Sequence, residues 1–396
     1  MSLTWTNGAL AGPISCFASN SGYIFAGTKG GVYKSSNNGV SWSAANTGIS
    51  SLTIQCLVTT GVYLFAGDIS AGIWRTSNDG ASWTVQNGGL ANFNIMAMQT
   101  FGSGIYAGTY GGGVYVSVNS GVLWTAINTG LTNLYVEDFC VVGSAIYVAT
   151  YGGGVFKSTN NGASWTATNT GLINLSALAL AYDGTSTMYA GTYGGGAFTS
   201  TNNGASWAAA NSGISNMIVW DFLADGVNVF AGTYGGVSLS QNNGASWTTE
   251  NTGLGIADIK GFIESGLYIH CGTYVPIYSP STYRALIPAN PSSADFHASP
   301  LSAYPNQIIQ FTDDSTGATS WSWNFGDSQS SSSQNPTHTY SWAGVYTVTL
   351  SINSAASSKT RTNYIAINIP STPPKHQKGY MGKEIRELNY QRARHF

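Results

Sequence analysis

Over its first 288 residues the chain alternates short apolar runs with clusters of Gly, Asn, Ser and Thr. Between the clusters, apolar residues nowhere recur at the 3.6-residue spacing of a helix, so the runs read as strands. Val136–Val142 is one type, Ile105-Tyr106-Ala107-Gly108-Thr109 a second, and Gly113-Val114-Tyr115-Val116, reached through a Gly-rich turn, a third. A polar phrase, Ser/Thr-x-Asn-x-Gly-x-x-Trp, follows the third type. Its Asn and Gly tolerate the positive φ of a tight reversal, so its tryptophan opens a fourth strand.

This four-strand unit recurs. The polar phrase occurs six times, ending at Trp42, Trp83, Trp124, Trp165, Trp207 and Trp247, with successive tryptophans 41, 41, 41, 42 and 40 residues apart. A period of that length, built from short strands, is the signature of a β-propeller blade. The second-strand phrase occurs seven times, at Tyr23, Tyr63, Ile105, Ile146, Met188, Val229 and Tyr268, and the seventh copy, Leu267 to Leu286, ends without its tryptophan. Thr4-Trp5-Thr6-Asn7-Gly8 matches the missing outer strand. The expected fold is therefore all-β: a seven-bladed propeller over residues 1–288 whose N-terminal strand closes the last blade and leaves the ring no open gap. The seven tryptophans, Trp5 included, are expected between blades as structural repeats, each burial worth roughly 4–6 kcal/mol gross.

The polar phrase resembles the Asp-box motif of the BNR-type propellers, with Asn37, Asn78, Asn119, Asn160, Asn202 and Asn242 where that family usually has Asp. The resemblance implies a structural hairpin at the blade periphery. After Pro288 the period stops, and Pro-Ala-Asn-Pro-Ser-Ser at 288–293 reads as a linker. Residues 289–370 form a second expected domain, with strands at Ile308–Phe311, Trp321–Phe325 and Val345–Ile352. Its phrases Trp323-Asn324-Phe325-Gly326-Asp327, Asn335-Pro336-Thr337-His338-Thr339-Tyr340 and Gly344–Leu350 resemble the PKD domain, an immunoglobulin-like β-sandwich. That resemblance implies an extracellular spacer or interaction module. Residues 371–396 turn basic and polar and read as a disordered tail or an interaction arm.

Composition narrows the function. The net charge of −2 hides an asymmetry, because six of the 14 basic residues lie beyond residue 373 and leave the body at about −6. Without a basic stripe, nucleic-acid binding is not expected. No apolar run reaches the ~18–20 residues of a spanning helix, so a soluble monomer is expected. Cys16, Cys56, Cys140 and Cys271 lack zinc spacing and read as free thiols, although Cys16 and Cys56 hold equivalent places in successive repeats. The N-terminus shows no signal peptide, so a secreted or cell-surface location rests on domain type. No metal or cofactor is implied: His270, His297, His338, His376 and His395 are scattered, and the Gly-rich turns lack phosphate-loop context.

Strand order places the second-to-third turns and the outer-to-inner connections on one face, around the channel mouth. Tyr110, Tyr151, Tyr193, Tyr234 and Tyr274 recur at one turn position in five blades, while Lys29 and Ile69 hold it in the first two. With Phe93, Tyr135 and Trp220 from the other connections, these are the candidate ligand-binding residues. Their rings could stack on sugars at ~0.5–1.5 kcal/mol each, or simply fill the mouth. The leading expectation is a non-catalytic recognition or adhesion protein whose propeller face binds carbohydrate or an extracellular protein. The alternative is a glycoside hydrolase using Asp138, Asp221 and Glu137, since inverting carboxyls stand about 6.5–9.5 Å apart, which two blades' separation near the axis would permit. A sialidase is excluded because the propeller holds only Arg75 and Arg284, too few for an arginine triad. An architectural surface protein is the third reading.

Overall fold

A computed structural model describes residues 3–368 except 11, 21, 226–227, 255–257, 267, 275–281, 288–293, 316–317, 319 and 353–356. The expected linker and the basic tail lie outside the described residues. The chain divides into two compact units, Met1–Pro288 and Ala289–Phe396. Among the described residues every regular element is a strand.

The first unit is seven four-stranded antiparallel sheets, the blades of a propeller. Their innermost strands are Ile14–Asn20, Ile54–Thr60, Ile95–Phe101, Val136–Val142, Ala177–Tyr182, Val219–Asp225 and Ile259–Ser265. In blades one to six the sheet order follows the chain. In blade seven the outermost strand is Thr6–Asn7, paired to Thr282–Leu286 through Thr6↔Arg284 and Asn7↔Tyr283.

The N-terminal tryptophan makes the contacts its repeats make elsewhere. Trp5 is 3% exposed, and its indole Nε1 donates to Glu250 O at 2.7 Å, across the gap to blade six. The same bond to the preceding blade is made by Trp83 to Ala45 O at 2.8 Å, Trp165 to Ile127 O at 2.7 Å and Trp247 to Ala210 O at 2.7 Å. Each ring is thus buried without orphaning its single donor. Trp42, packed with Leu10 and Ile14, is the exception: its Nε1 is buried and lacks a partner among the described residues.

The polar phrase is a peripheral hairpin held by its own side chains. In blade four, Ser158 Oγ accepts from Gly162 N at 2.8 Å and Asn160 Oδ1 accepts from Ser164 N at 2.9 Å, while Asn161 sits at φ 57°. The acceptor oxygen is all the turn requires, so Asn serves where Asp would. Nearer the axis, blades crowd. A Cβ added at Gly67 would come within 2.6 Å of Ile95 Cγ2 of the next blade, and one at Gly108 within 2.4 Å of Val136 Cγ1. Close approach of neighbouring sheets is what these second-strand glycines permit.

The second unit is a sandwich of a three-stranded and a five-stranded sheet. Phe296, Phe311, Trp323, Phe325, Tyr340 and Leu350 fill its core. His338 is structural there, stacked on Phe325 and 2.8 Å from Asp327 Oδ2.

Candidate functional site

Every innermost strand breaks register at its start, so that two of its residues face one on the neighbouring strand. The extra residue of each bulge is Ser15, Gln55, Met96, Glu137, Leu178, Trp220 and Lys260, in blade order. A β-bulge re-aims the side chain it carries, and all seven line a single cavity of about 280 Å³ on the propeller axis. The residues one step further along, Cys16, Cys56, Ala97, Asp138, Asp221 and Gly261, line its deeper tier. The bulge position carries seven different residue types in seven blades. Where packing dictates, by contrast, the blades repeat one another.

The cavity opens into a mouth of about 450 Å³ that shares Gln55, Met96, Glu137, Leu178, Trp220 and Lys260. Its rim adds Lys29, Ile69, Tyr110, Tyr151, Tyr193 and Tyr274, six of the seven equivalent turn residues. Tyr151 and Tyr193 meet edge-on with centroids 6.1 Å apart, and Tyr193 meets Trp220 at 6.0 Å, forming an aromatic arc over blades four to six. Of the candidate ligand-binding residues, Tyr110, Tyr151, Tyr193, Tyr274 and Trp220 come together at this mouth. Tyr234, Phe93 and Tyr135 line neither cavity; Tyr135 packs edge-on against Tyr110, with ring centroids 4.7 Å apart.

The electrostatics are concentrated on one side. Lys260 Nζ sits 3.0 Å from the centroid of the Trp220 ring, and burial pushes this amine down to about 8, against the opposing pull of Asp258 and Glu137. Burial raises Glu137 to about 7, Lys260 acting the other way. It also raises Asp138 to about 7 against backbone N–H donors, and holds Asp221 well above the carboxylate range, with the Asp138 charge adding to the effect. Both aspartates bridge blades. Asp138 Oδ2 accepts from Leu180 N of blade five at 2.8 Å, and Asp221 Oδ2 accepts from Phe262 N of blade seven at 2.8 Å. The four thiols are free, and burial raises the pKa of each.

Sequence reasoning missed Lys260, Gln55, Met96, Leu178 and Ser15 as channel residues, and noted Lys29 only as a departure from tyrosine. Superposing the seven inner strands would have found them, because the second position of that strand is where the copies diverge.

Residues 298–369 match the PKD domain family. No protein of curated function matches the chain by sequence. Among solved structures, the chain is similar to YCF48 bound to D1 peptide, with 12% identity, TM-score 0.59, and coverage of 72% of this chain and 97% of that one. It is also similar to the extracellular domain of the putative one component system BT4673 from B. thetaiotaomicron, at 12% identity and TM-score 0.55, covering 93% of this chain and 60% of that one. An ancestral GH74 enzyme gives 14% identity and TM-score 0.57, with 89% and 60% covered. The chain thus spans 60% of the length of these last two. At such identities the likeness to these structures is one of fold alone; this chain is a seven-bladed β-propeller followed by a PKD domain.

Proposed function

We propose that this is a non-catalytic extracellular recognition protein that binds carbohydrate at the channel mouth, with the PKD domain as spacer or secondary interaction module. One observation carries the reading. At the bulges the repeat abandons its own sequence, and there seven unlike side chains converge beneath an aromatic arc. Packing alone would favour one solution repeated seven times, as at the tryptophans; a ligand of definite shape favours seven different ones. Stacking of sugar faces on Tyr151, Tyr193 and Trp220 would supply the apolar contact, and Gln55 and Glu137 the hydrogen bonds. The extracellular assignment rests on the PKD match and on the extracellular-domain neighbour.

A hydrolase reading has one point in its favour, since Glu137, raised to about 7, could hold a proton near neutrality. Against it, Asp138 Oδ2 and Asp221 Oδ2 each accept from a backbone N–H of an adjacent blade, and Asp221 Oδ1 accepts from Phe222 N of its own strand. A peptide ligand is the other reading, suggested by the peptide named with YCF48.

Glycan-array binding separates these. Binding that is lost in Tyr151→Ala/Tyr193→Ala but retained in Asp138→Asn and Asp221→Asn is expected. Release of reducing sugar that either Asp variant abolishes would replace recognition with hydrolysis. Silence on every glycan would abandon carbohydrate altogether.

A further inference from the structure

Tyr274 stands between two ammonium groups. Lys29 Nζ lies 4.3 Å and Lys260 Nζ 4.9 Å from its ring centroid. Lys29 comes from the second-to-third turn of blade one and Lys260 from the bulge of blade seven, so the two blades that close the ring gather both cations on one side of the mouth. Among the described residues, neither has a carboxylate oxygen within 4.0 Å. Asp258 and Glu137 influence Lys260 only from further away, and Lys29 repels it. Two like charges drawn into a concave site leave an unmet demand for an anion, which water and aromatic faces satisfy only in part. Trp220, beneath Lys260, continues into the arc of Tyr193 and Tyr151. Cations and stacking surface therefore adjoin within one cavity of about 450 Å³.

We propose that the mouth selects an anionic oligosaccharide, its ring-borne carboxylate or sulfate held between Lys29 and Lys260 while the sugar face lies on Trp220 and Tyr193. This deepens the carbohydrate reading above and rests on it. The distinguishing feature is the pairing of charge with a stacking platform: a neutral glycan would use the arc and leave both lysines without an anion.

The test is calorimetry on the full chain with uronate trimers (galacturonate, mannuronate, glucuronate) and a sulfated galactan oligosaccharide, each beside its carboxyl-reduced or desulfated counterpart. At least one acidic member is expected to bind ten-fold or more tightly than its neutral partner. That gap should narrow when salt rises from about 0.05 M to about 0.5 M. It should close in Lys29→Gln/Lys260→Gln and persist in Lys260→Arg. Lys29 is exposed, so Lys29→Gln alone, which leaves the fold untouched, should already reduce the preference. Equal affinity for acidic and neutral members, or a preference indifferent to both lysines, overturns this proposal and leaves carbohydrate recognition standing. Binding of no member, acidic or neutral, also overturns this proposal, while the carbohydrate reading falls only if the glycan array is silent as well.

Discussion

Gly272, in the last blade, lies so close to Ile14 in the first that a Cβ on it would come within 2.4 Å of Ile14 Cγ2. The same glycine-to-branched-residue contact recurs at Gly27 and Ile54, Gly67 and Ile95, Gly108 and Val136, Gly191 and Val219, and Gly232 and Ile259. Blade four departs from it with Ala149, and there the facing position in blade five is Ala177, in the same core cluster. The extra methyl on one side is matched by lost methyls on the other. Gly272→Ala is therefore expected to cost about 1–3 kcal/mol by overpacking. Combined with Ile14→Ala, it should cost at least ~1 kcal/mol less than the sum of the two singles. Urea unfolding of the four-member cycle checks this, and strict additivity would disprove the size compensation.

Closure of the ring through its N-terminal strand gives a second expectation. Trp5→Ala removes a buried ring and the bond to Glu250 O, so a loss of about 3–5 kcal/mol is expected. A similar loss should follow Trp165→Ala, in the uninterrupted part of the ring. Thermal unfolding of both variants measures it; a Trp5 variant as stable as the parent would mean that the last blade does not need its outer strand.

The two bridging aspartates predict a pH dependence of opposite sign to the usual carboxylate. Asp138 ionises near 7 in the folded protein against 3.8 ordinarily, so the native state keeps a proton that the unfolded chain releases. Its contribution is best below about pH 4 and drains away as pH rises through about 7. With solvent in the cavity screening the effect, Asp138→Asn should gain ~1–2 kcal/mol on the parent between pH 4 and pH 8. Denaturant titrations at four pH values follow the difference. A gap that is constant with pH would show that the carboxyl is ionised throughout.

Lys260 provides a chemical probe of the cavity. Its amine, lowered to about 8 by burial, should titrate well below a solvated lysine. Acetylation followed by peptide mass spectrometry should give a midpoint near 8, and Trp220→Ala, which admits water to the ammonium, should move it upward. A midpoint above 10 in the parent would remove the low-dielectric description of the channel.

How much of this could be read from the chain follows from what the repeats hold constant. Blade number, the role of Trp5 and the peripheral Asn hairpins were legible because each is one packing solution copied around the ring. The mouth was legible in part: Tyr110, Tyr151, Tyr193 and Tyr274 share a repeated turn, yet Tyr234 holds the same sequence position without lining the cavity. Lys260 was not legible, since a lysine second in an apolar strand reads as solvent-facing until the bulge turns it to the axis. Glu137 and Trp220 were noticed for their chemistry, and their common position with Lys260 emerges only from the register.

The strand Thr282–Leu286 is the last of the propeller before the chain leaves for the sandwich, and it is flanked by Tyr268–Thr273 on one side and Thr6–Asn7 on the other. A tug arriving from the C-terminal side therefore does not meet a strand at the rim that could be peeled off one hydrogen bond at a time. It loads two rows of bonds together, and one of those rows belongs to the opposite end of the polypeptide.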